Sequence, residues 1–178
     1  MARDADPLGE FFPLVNALEQ KGLQPVLVGG MALVILGSQR ITKDFDLMVS
    51  STDLSQDLVE MIYRQGYQLV TKFNKAGEVE RTIDNSTVAV ARLRLDKPRS
   101  VFFYSWEKRL RVDLLLNFPL PTVNIAARAA KIGKRPRTLR VAAPEDLLHL
   151  KELAYADRKS AADAQDLEFL RNLLKERS

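Results

Sequence analysis

Apolar residues recur along this chain in two rhythms. Over residues 8–21 they fall at helical spacing, with Phe11, Phe12, Leu14, Val15 and Leu18 on one side. That stripe predicts a helix laid against a core, and Gly22 supplies a stop. Residues 24–28 predict a short strand. Residues 30–36 carry Met31, Ala32, Leu33, Val34, Ile35 and Leu36, a compact buried helix ending at Gly37. Residues 44–49 predict a strand. Residues 51–64 predict a helix that starts on a Ser-Ser-Thr-Asp cluster suited to capping and ends before Gly66.

From residue 67 to 104 the texture turns to β. Residues 67–72, 88–95 and 101–104 predict strands, separated by turn material at 74–77, 84–86 and 96–100. Arg92 and Arg94 alternate with Ala91, Leu93 and Leu95, which gives the second of these strands a polar face. Residues 109–116 predict another strand, with Asp113 between Val112 and Leu114. The remainder reads as mostly helical. One helix opens at Ala143-Pro144-Glu145 and runs to Ala156. A last helix covers 160–175 with Leu167, Leu170 and Leu174 on one stripe. This order predicts an α+β fold: a mixed α/β core with a mixed sheet flanked by helices, and a helical C-terminal region. The expected division is a core over 1–120 and a basic segment with C-terminal helices over 121–178, packed together as one compact domain.

Composition narrows the function classes. The chain is 46% hydrophobic and 28% charged, which suits a globular protein with a real core. No apolar run reaches the roughly 18 residues of a membrane span. Met1 to Asp6 lack the basic and apolar stretches of a secretory signal, so a cytoplasmic location is expected. There are no cysteines, which excludes disulfides, thiolate nucleophiles and cysteine zinc sites. Net charge is only +4, but the basic residues cluster. Arg128, Lys131, Lys134, Arg135, Arg137 and Arg140 stand together with no acidic residue among them. Such a run is either a solvated loop or a surface for nucleic-acid phosphates.

The chemistry concentrates elsewhere. Val28-Gly29-Gly30 closes an apolar run, and after thirteen intervening residues comes Asp44-Phe45-Asp46-Leu47. Side chains alternate faces on a strand, so Asp44 and Asp46 share one face. Two like charges there repel unless a cation compensates. If the strand bearing Asp113 lies alongside, three carboxylates converge. Such a triad suits two Mg²⁺ or Mn²⁺ ions about 3.5–4 Å apart and in-line phosphoryl or nucleotidyl transfer. A Gly29-Gly30 turn leading into a helix adds backbone amides for a phosphate.

These residues, in this order, resemble the polymerase-β-like nucleotidyltransferase superfamily. The fuller string Gly29-Gly30-Met31-Ala32-Leu33 with Gly37, Arg40, Thr42, Asp44 and Asp46 resembles one branch of it. That branch holds the nucleotidyltransferase toxins of type IV (abortive-infection) toxin–antitoxin systems and related stand-alone proteins. Pro144-Glu145-Asp146-Leu147-Leu148, Lys151, Arg158-Lys159, Asp163 and Asp166-Leu167 resemble the helical region of the same branch. The resemblance is good over 26–50, 110–116 and 144–170 and poor over 65–105.

The resemblance implies an enzyme that moves NMP from an NTP to an acceptor hydroxyl with Mg²⁺ or Mn²⁺. Asp44, Asp46 and Asp113 would hold metal. Gly29, Gly30, Arg40, Thr42 and Lys151 would bind nucleotide, with Lys151 on phosphate. A downstream aspartate, Asp163 or Asp166, would complete the site. The acceptor could be tRNA or another RNA, held by Lys131, Lys134, Arg135, Arg137 and Arg140, and a cognate antitoxin would be a partner.

Structural readings stand beside these. Asp113 could pair with Arg109 or Arg111, Lys151 with Asp163 or Asp166 across two helices, and Arg40 and Thr42 could only shape their loop. His149, the one histidine, lies on a polar helical stripe and is expected in solvent. Trp106 and Phe102-Phe103-Tyr104 are expected to pack at the core or sheet edge. Two rival functions remain open. One is a non-enzymatic nucleic-acid-binding or regulatory protein on the same fold, which needs the basic cluster but not the carboxylates. The other is a nucleotidyltransferase with a small-molecule or protein acceptor, which needs the reverse.

Overall fold

A computed structural model describes residues 6–178 of the chain. The first five residues, part of the stretch read for a secretory signal, lie outside the described residues. The elements run α1 (Pro7–Gln20), β1 (Val26–Val28), α2 (Gly29–Ile35), β2 (Asp44–Val49), α3 (Gln56–Arg64), β3 (Gln68–Phe73), β4 (Val79–Ile83), α4 (Ser86–Asp96), β5 (Ser100–Ser105), β6 (Leu110–Leu116), α5 (Thr122–Arg128), β7 (Ala130–Lys134), β8 (Arg137–Val141), α6 (Pro144–Arg158) and α7 (Ala161–Arg177). The strands form one eight-stranded sheet in the order β4-β3-β5-β6-β2-β1-β8-β7. It is mixed: β2 runs parallel to β6 and antiparallel to β1, while β1 runs parallel to β8.

The alternation in β2 and β6 decides which face is covered. Phe45, Leu47 and Val49 on one strand and Val112, Leu114 and Leu116 on the other are buried. Helix α1 lies on this side, where Phe11 stacks on Phe45 with ring centroids 4.0 Å apart. Burying a face of this kind contributes roughly 1.5–3 kcal/mol for each large side chain. Asp44, Asp46, Arg111 and Asp113 therefore share the opposite face. One buried apolar cluster reaches from Phe11 through the strands to Leu147 on α6 and Leu170 on α7. Among the described residues no helix is long and apolar enough to cross a membrane.

Three expectations are corrected. Residues 88–95, expected as a strand, are the helix α4. Asn85 accepts a hydrogen bond from the Val88 amide at 3.1 Å and caps it. Ala89 and Val90 are buried while Val88 and Leu95 are exposed. A strand would have placed Val88 and Val90 on one face, so packing overrides the alternation. The helix expected to begin at Ser51 starts at Gln56, capped by Ser55, whose hydroxyl accepts from the Leu58 amide at 3.3 Å. The upstream serine is used in a turn instead, where Ser51 Oγ donates to the Asp53 carbonyl at 2.6 Å. The region after residue 116, expected as mostly helical, contains the β7–β8 hairpin, and most of the basic run lies on it. Two elements, β4 and α5, were not anticipated. The charged composition of β4 (Val-Glu-Arg-Thr-Ile) suits an edge strand rather than a buried one.

Candidate active site

Parallel pairing of β2 with β6 sets Asp44 opposite Arg111 and Asp46 opposite Asp113. Three carboxylates expected from the sequence thus meet on two adjacent strands, with an arginine as the fourth corner. Burial first, then the charge of Asp113, pushes the Asp46 carboxyl up to about 7. Burial also pushes Asp113 up, against the opposing pull of Arg111. A carboxylate pair held this close resists full ionisation without added positive charge.

Glycine is required beside Asp46. Val28 pairs with Asp46 across β1 and β2, so the next residue, Gly29, lies against that carboxylate. Gly29 has a φ of +69°, and a Cβ there would overlap the Asp46 carboxyl. At Gly30 a Cβ would stand 2.9 Å from the Arg40 Cζ. Gly29 is thus fixed by its positive φ and the Asp46 carboxyl together, while Gly30 leaves room for the end of the Arg40 side chain.

Arg111 grips Asp113 with two bonds, Nε to Oδ1 and NH2 to Oδ2, both 2.8 Å. Its NH1 stands 3.6 Å from Asp44 Oδ2. Of the two arginines weighed as partners for Asp113, Arg111 is the one used. Its guanidinium lies 4.5 Å from the Phe73 ring centroid and 5.2 Å from that of Phe102. The signal was present in the sequence: Arg111 and Asp113 are two apart on a strand and so share a face.

A second cluster joins the C-terminal helices to the loop before β2. Lys151 Nζ is 2.8 Å from Asp166 Oδ2 and 3.2 Å from Asp163 Oδ1. Arg40 pairs with Asp166 as well. Asp163 is held in addition by Ser160 Oγ at 2.7 Å and Arg158 at 3.1 Å. Burial pushes Asp163 up. The hydrogen bonds from Ser160 and Lys151 and the charges of Lys151 and Arg158 outweigh that, so its carboxyl sits below the usual value. Thr42 is partly buried in the loop entering β2. His149 is exposed. Trp106 is half-exposed in the turn after β5, and its Nε1 donates to Thr82 of the edge strand β4 at 2.9 Å.

The basic run divides on folding. Arg128 pairs with Asp146 at 2.6 Å, Arg140 with Glu19 at 3.3 Å and Arg137 with Asp6 at 3.7 Å. Lys131, Lys134 and Arg135 are exposed on the hairpin and make no ion pair among the described residues.

The donor set fits a divalent cation in chemistry, since hard oxygen ligands under mutual repulsion suit Mg²⁺ or Mn²⁺. Among the described residues, however, no three His, Asp or Glu side chains are gathered to enclose a metal on their own. An ion here would need further oxygens, which a nucleotide's phosphates provide.

The mixed sheet with helices is a nucleotidyltransferase-like fold. A nucleotidyltransferase-like antigenic protein from Paracoccidioides brasiliensis superposes with a TM-score of 0.59 at 14% identity, over 96% of this chain and 77% of that one. The lincosamide antibiotic adenylyltransferase LnuA, solved with lincomycin bound, superposes with a TM-score of 0.55 at 14% identity, over 93% of this chain and 96% of that one. At that identity both likenesses establish the fold. A comparison with curated proteins finds no sequence match. The family described as "Nucleotidyl transferase AbiEii toxin, Type IV TA system" matches residues 14–176, and the chain belongs to it.

Proposed function

We propose that this nucleotidyltransferase moves NMP from an NTP to an acceptor hydroxyl on RNA, tRNA being the first candidate, and that it does so with Mg²⁺ or Mn²⁺. The observation that carries the reading is the strand register: Asp44, Asp46 and Asp113 side by side, with the glycine turn against Asp46. Asp44 and Asp46 would hold the metal, which would supply positive charge against the phosphates of the nucleotide. Gly29 and Gly30 offer backbone without side chains beside it.

Lys151 and Arg40 are the cations for the remaining phosphates. Asp166 is the C-terminal acidic residue of the site, because it alone of the two candidates ties to both Lys151 and Arg40. Asp163 also pairs with Lys151. The acceptor oxygen forms a bond to the α-phosphorus, the bond to pyrophosphate breaks, and the acceptor's proton passes to Asp113. Burial pushes that carboxyl up from its ordinary value, and a positioned carboxylate is a suitable acceptor for the proton. Positioning and charge neutralisation carry most of the rate. The exposed Lys131, Lys134 and Arg135 are the phosphate contacts for RNA, and membership of the toxin family makes a cognate antitoxin the expected protein partner.

The second reading, a small-molecule acceptor, draws on the lincomycin-bound adenylyltransferase that shares the fold. Incubation with each labelled NTP and Mg²⁺, with and without total tRNA, separates the two. Label is expected in RNA. It should vanish in Asp44→Asn with Asp46→Asn, a loss of at least about a thousandfold for a site that neutralises transition-state charge. The variant Lys131→Ala, Lys134→Ala, Arg135→Ala should bind RNA more weakly, with the log–log salt slope flatter by up to about one per charge removed. If it labels RNA as well as the parent does, the small-molecule acceptor becomes the better reading.

A further inference from the structure

The open face of the sheet continues past the carboxylates as a row of aromatic rings. Strand β5 buries Val101, Phe103 and Ser105 and leaves Ser100, Phe102 and Tyr104 partly exposed. The register sets Phe102 opposite Asp113 and Tyr104 opposite Arg111, so both rings share the face that carries Asp44 and Asp46. Phe73 on β3 meets Phe102 edge to face, with centroids 5.4 Å apart, and the Arg111 guanidinium lies over both rings. Tyr104 meets Trp106 in the same way at 4.9 Å. The tract runs from Asp113 on β6 across β5 and β3 toward β4 at the sheet edge, about 14 Å for three strand spacings.

Trp106 is held in place although it is 50% exposed. Its Nε1 donates to Thr82 Oγ1 at 2.9 Å, and that hydroxyl donates to Gln68 Oε1 at 2.7 Å. A half-exposed ring fixed in this way has given up its freedom before any ligand arrives, which lowers the cost of binding one.

The layout of the site decides which ligand meets these rings. Gly30 lies against Arg40, and Arg40 and Lys151 share Asp166. The cations proposed for the phosphates therefore stand on the β1 flank of β2, while the rings stand on the β6 flank. In-line displacement puts the attacking and leaving oxygens on opposite sides of the phosphorus. Pyrophosphate leaves toward Arg40 and Lys151, so the acceptor hydroxyl arrives from the side of Asp113 and the rings. A row of rings suits a ligand that is itself a row of flat rings. Aromatic side chains on an open sheet face are a recurrent way to hold single-stranded RNA, stacking about two or three bases.

We propose that Phe102, Tyr104 and Trp106 form a base-stacking surface for the unpaired 3′ end of the acceptor RNA. The hydroxyl to be modified lies at Asp113, and the bases that precede it lie along the rings toward Trp106. This rests on the RNA-acceptor reading. The exposed cations of the β7–β8 hairpin, at the opposite end of the sheet, are a separate contact.

Trp106 is the single tryptophan of the chain, so its fluorescence reports on the surface directly. The full chain is titrated with an RNA hairpin carrying a short unpaired 3′ overhang, with the same hairpin blunt-ended, with the same overhang lacking its bases, and with each NTP alone. Quenching is expected only with the base-bearing overhang. Trp106→Leu and Tyr104→Leu are each expected to weaken binding of that RNA about tenfold, the scale of one lost base–aromatic stack. Their salt slope should stay unchanged, because stacking releases no counterion. Trp106→Phe keeps a ring and should stay within about threefold of the parent. Equal quenching by the blunt or base-free RNA, no quenching by any RNA, or a flatter salt slope in Trp106→Leu overturns the proposal. Quenching by an NTP alone gives the rings to the nucleotide's own base and overturns it as well. Labelling of the same RNAs keeps the two readings apart. Overhang RNA that is labelled without quenching overturns the stacking surface and leaves RNA transfer standing, whereas label found only in a small molecule or a protein overturns both. If Trp106→Leu does not fold, the titration of the parent protein decides.

Discussion

Two clusters of acidic side chains sit in this molecule, and they are balanced differently. On the C-terminal helices, Asp163 and Asp166 face Lys151, Arg158, Arg40 and the Ser160 hydroxyl. There Asp163 sits below the usual carboxylate value. On the strands, Asp44, Asp46 and Asp113 face one arginine, and Asp46 is pushed up to about 7. The helical cluster sets three cations against two carboxylates, whereas the strand cluster sets one cation against three. On the proposed reading the strand cluster takes up a metal, and the surplus positive charge of the helical cluster faces the phosphates.

The widest separation between the clusters should come from deleting charge in each. Lys151→Met leaves two buried carboxylates with fewer partners and should destabilise the protein by about 3 kcal/mol, the range for breaking a buried pair from one side. Asp44→Asn with Asp46→Asn removes repulsion instead, so the metal-free melting temperature should hold or rise. Thermal unfolding of both variants without metal checks this, and a large drop in the double variant would erase the contrast.

The clusters should also respond to pH with opposite sign. Asp46 has a folded value near 7 against 3.8 for the free side chain. The folded state therefore keeps a proton that the unfolded chain has lost, and metal-free stability falls as pH rises from about 4 to about 7. Asp163 is lowered, so its contribution is present above the ordinary aspartate value and is lost only as pH falls below it. Unfolding free energies between pH 5 and 8 should decline by about 2 kcal/mol in the wild type and stay flatter in Asp46→Asn. An unchanged slope in that variant would remove Asp46 as the source.

The smallest effect concerns the turn between the clusters. Gly29→Ala places a Cβ on the Asp46 carboxyl at a positive φ. It should destabilise by about 1–2 kcal/mol. It should also weaken NTP binding in metal more than the stability loss explains, because Asp46 is displaced. Chemical denaturation and calorimetric titration of the same preparation measure the two together.

The strand cluster was legible in the sequence because its signals are local. Acidic residues interrupt apolar strands at 44–49 and 110–116, and the first of these strands has the expected bounds. Asp163, Asp166 and Lys151 were legible from the resemblance and as an ion pair across two helices. The contact that distinguishes Asp166 from Asp163 was not legible, since Arg40 reaches Asp166 across 126 positions of sequence. Arg111 was visible only as one of two partners, and the aromatic bracing by Phe73 and Phe102 depends on the order in which β3, β5 and β6 pair. Helix α4 misled because its alternation of valine, alanine and arginine fits either period. The Asn85 cap and the packing of Ala89 and Val90 settle it. The basic run read as an undivided patch because its acidic partners lie outside it: Glu19 is 121 positions from Arg140 and Asp146 is 18 from Arg128.

The central claim is that the strand carboxylates await a cation that arrives with a nucleotide. Calorimetric titration of each NTP into the protein, with and without Mg²⁺ or Mn²⁺, tests it most directly. Ion and nucleotide share phosphate and carboxylate oxygens, so each should raise the affinity for the other, by about tenfold or more. The gain should disappear in Asp44→Asn with Asp46→Asn. Equal NTP affinity in the presence and absence of metal would contradict the account.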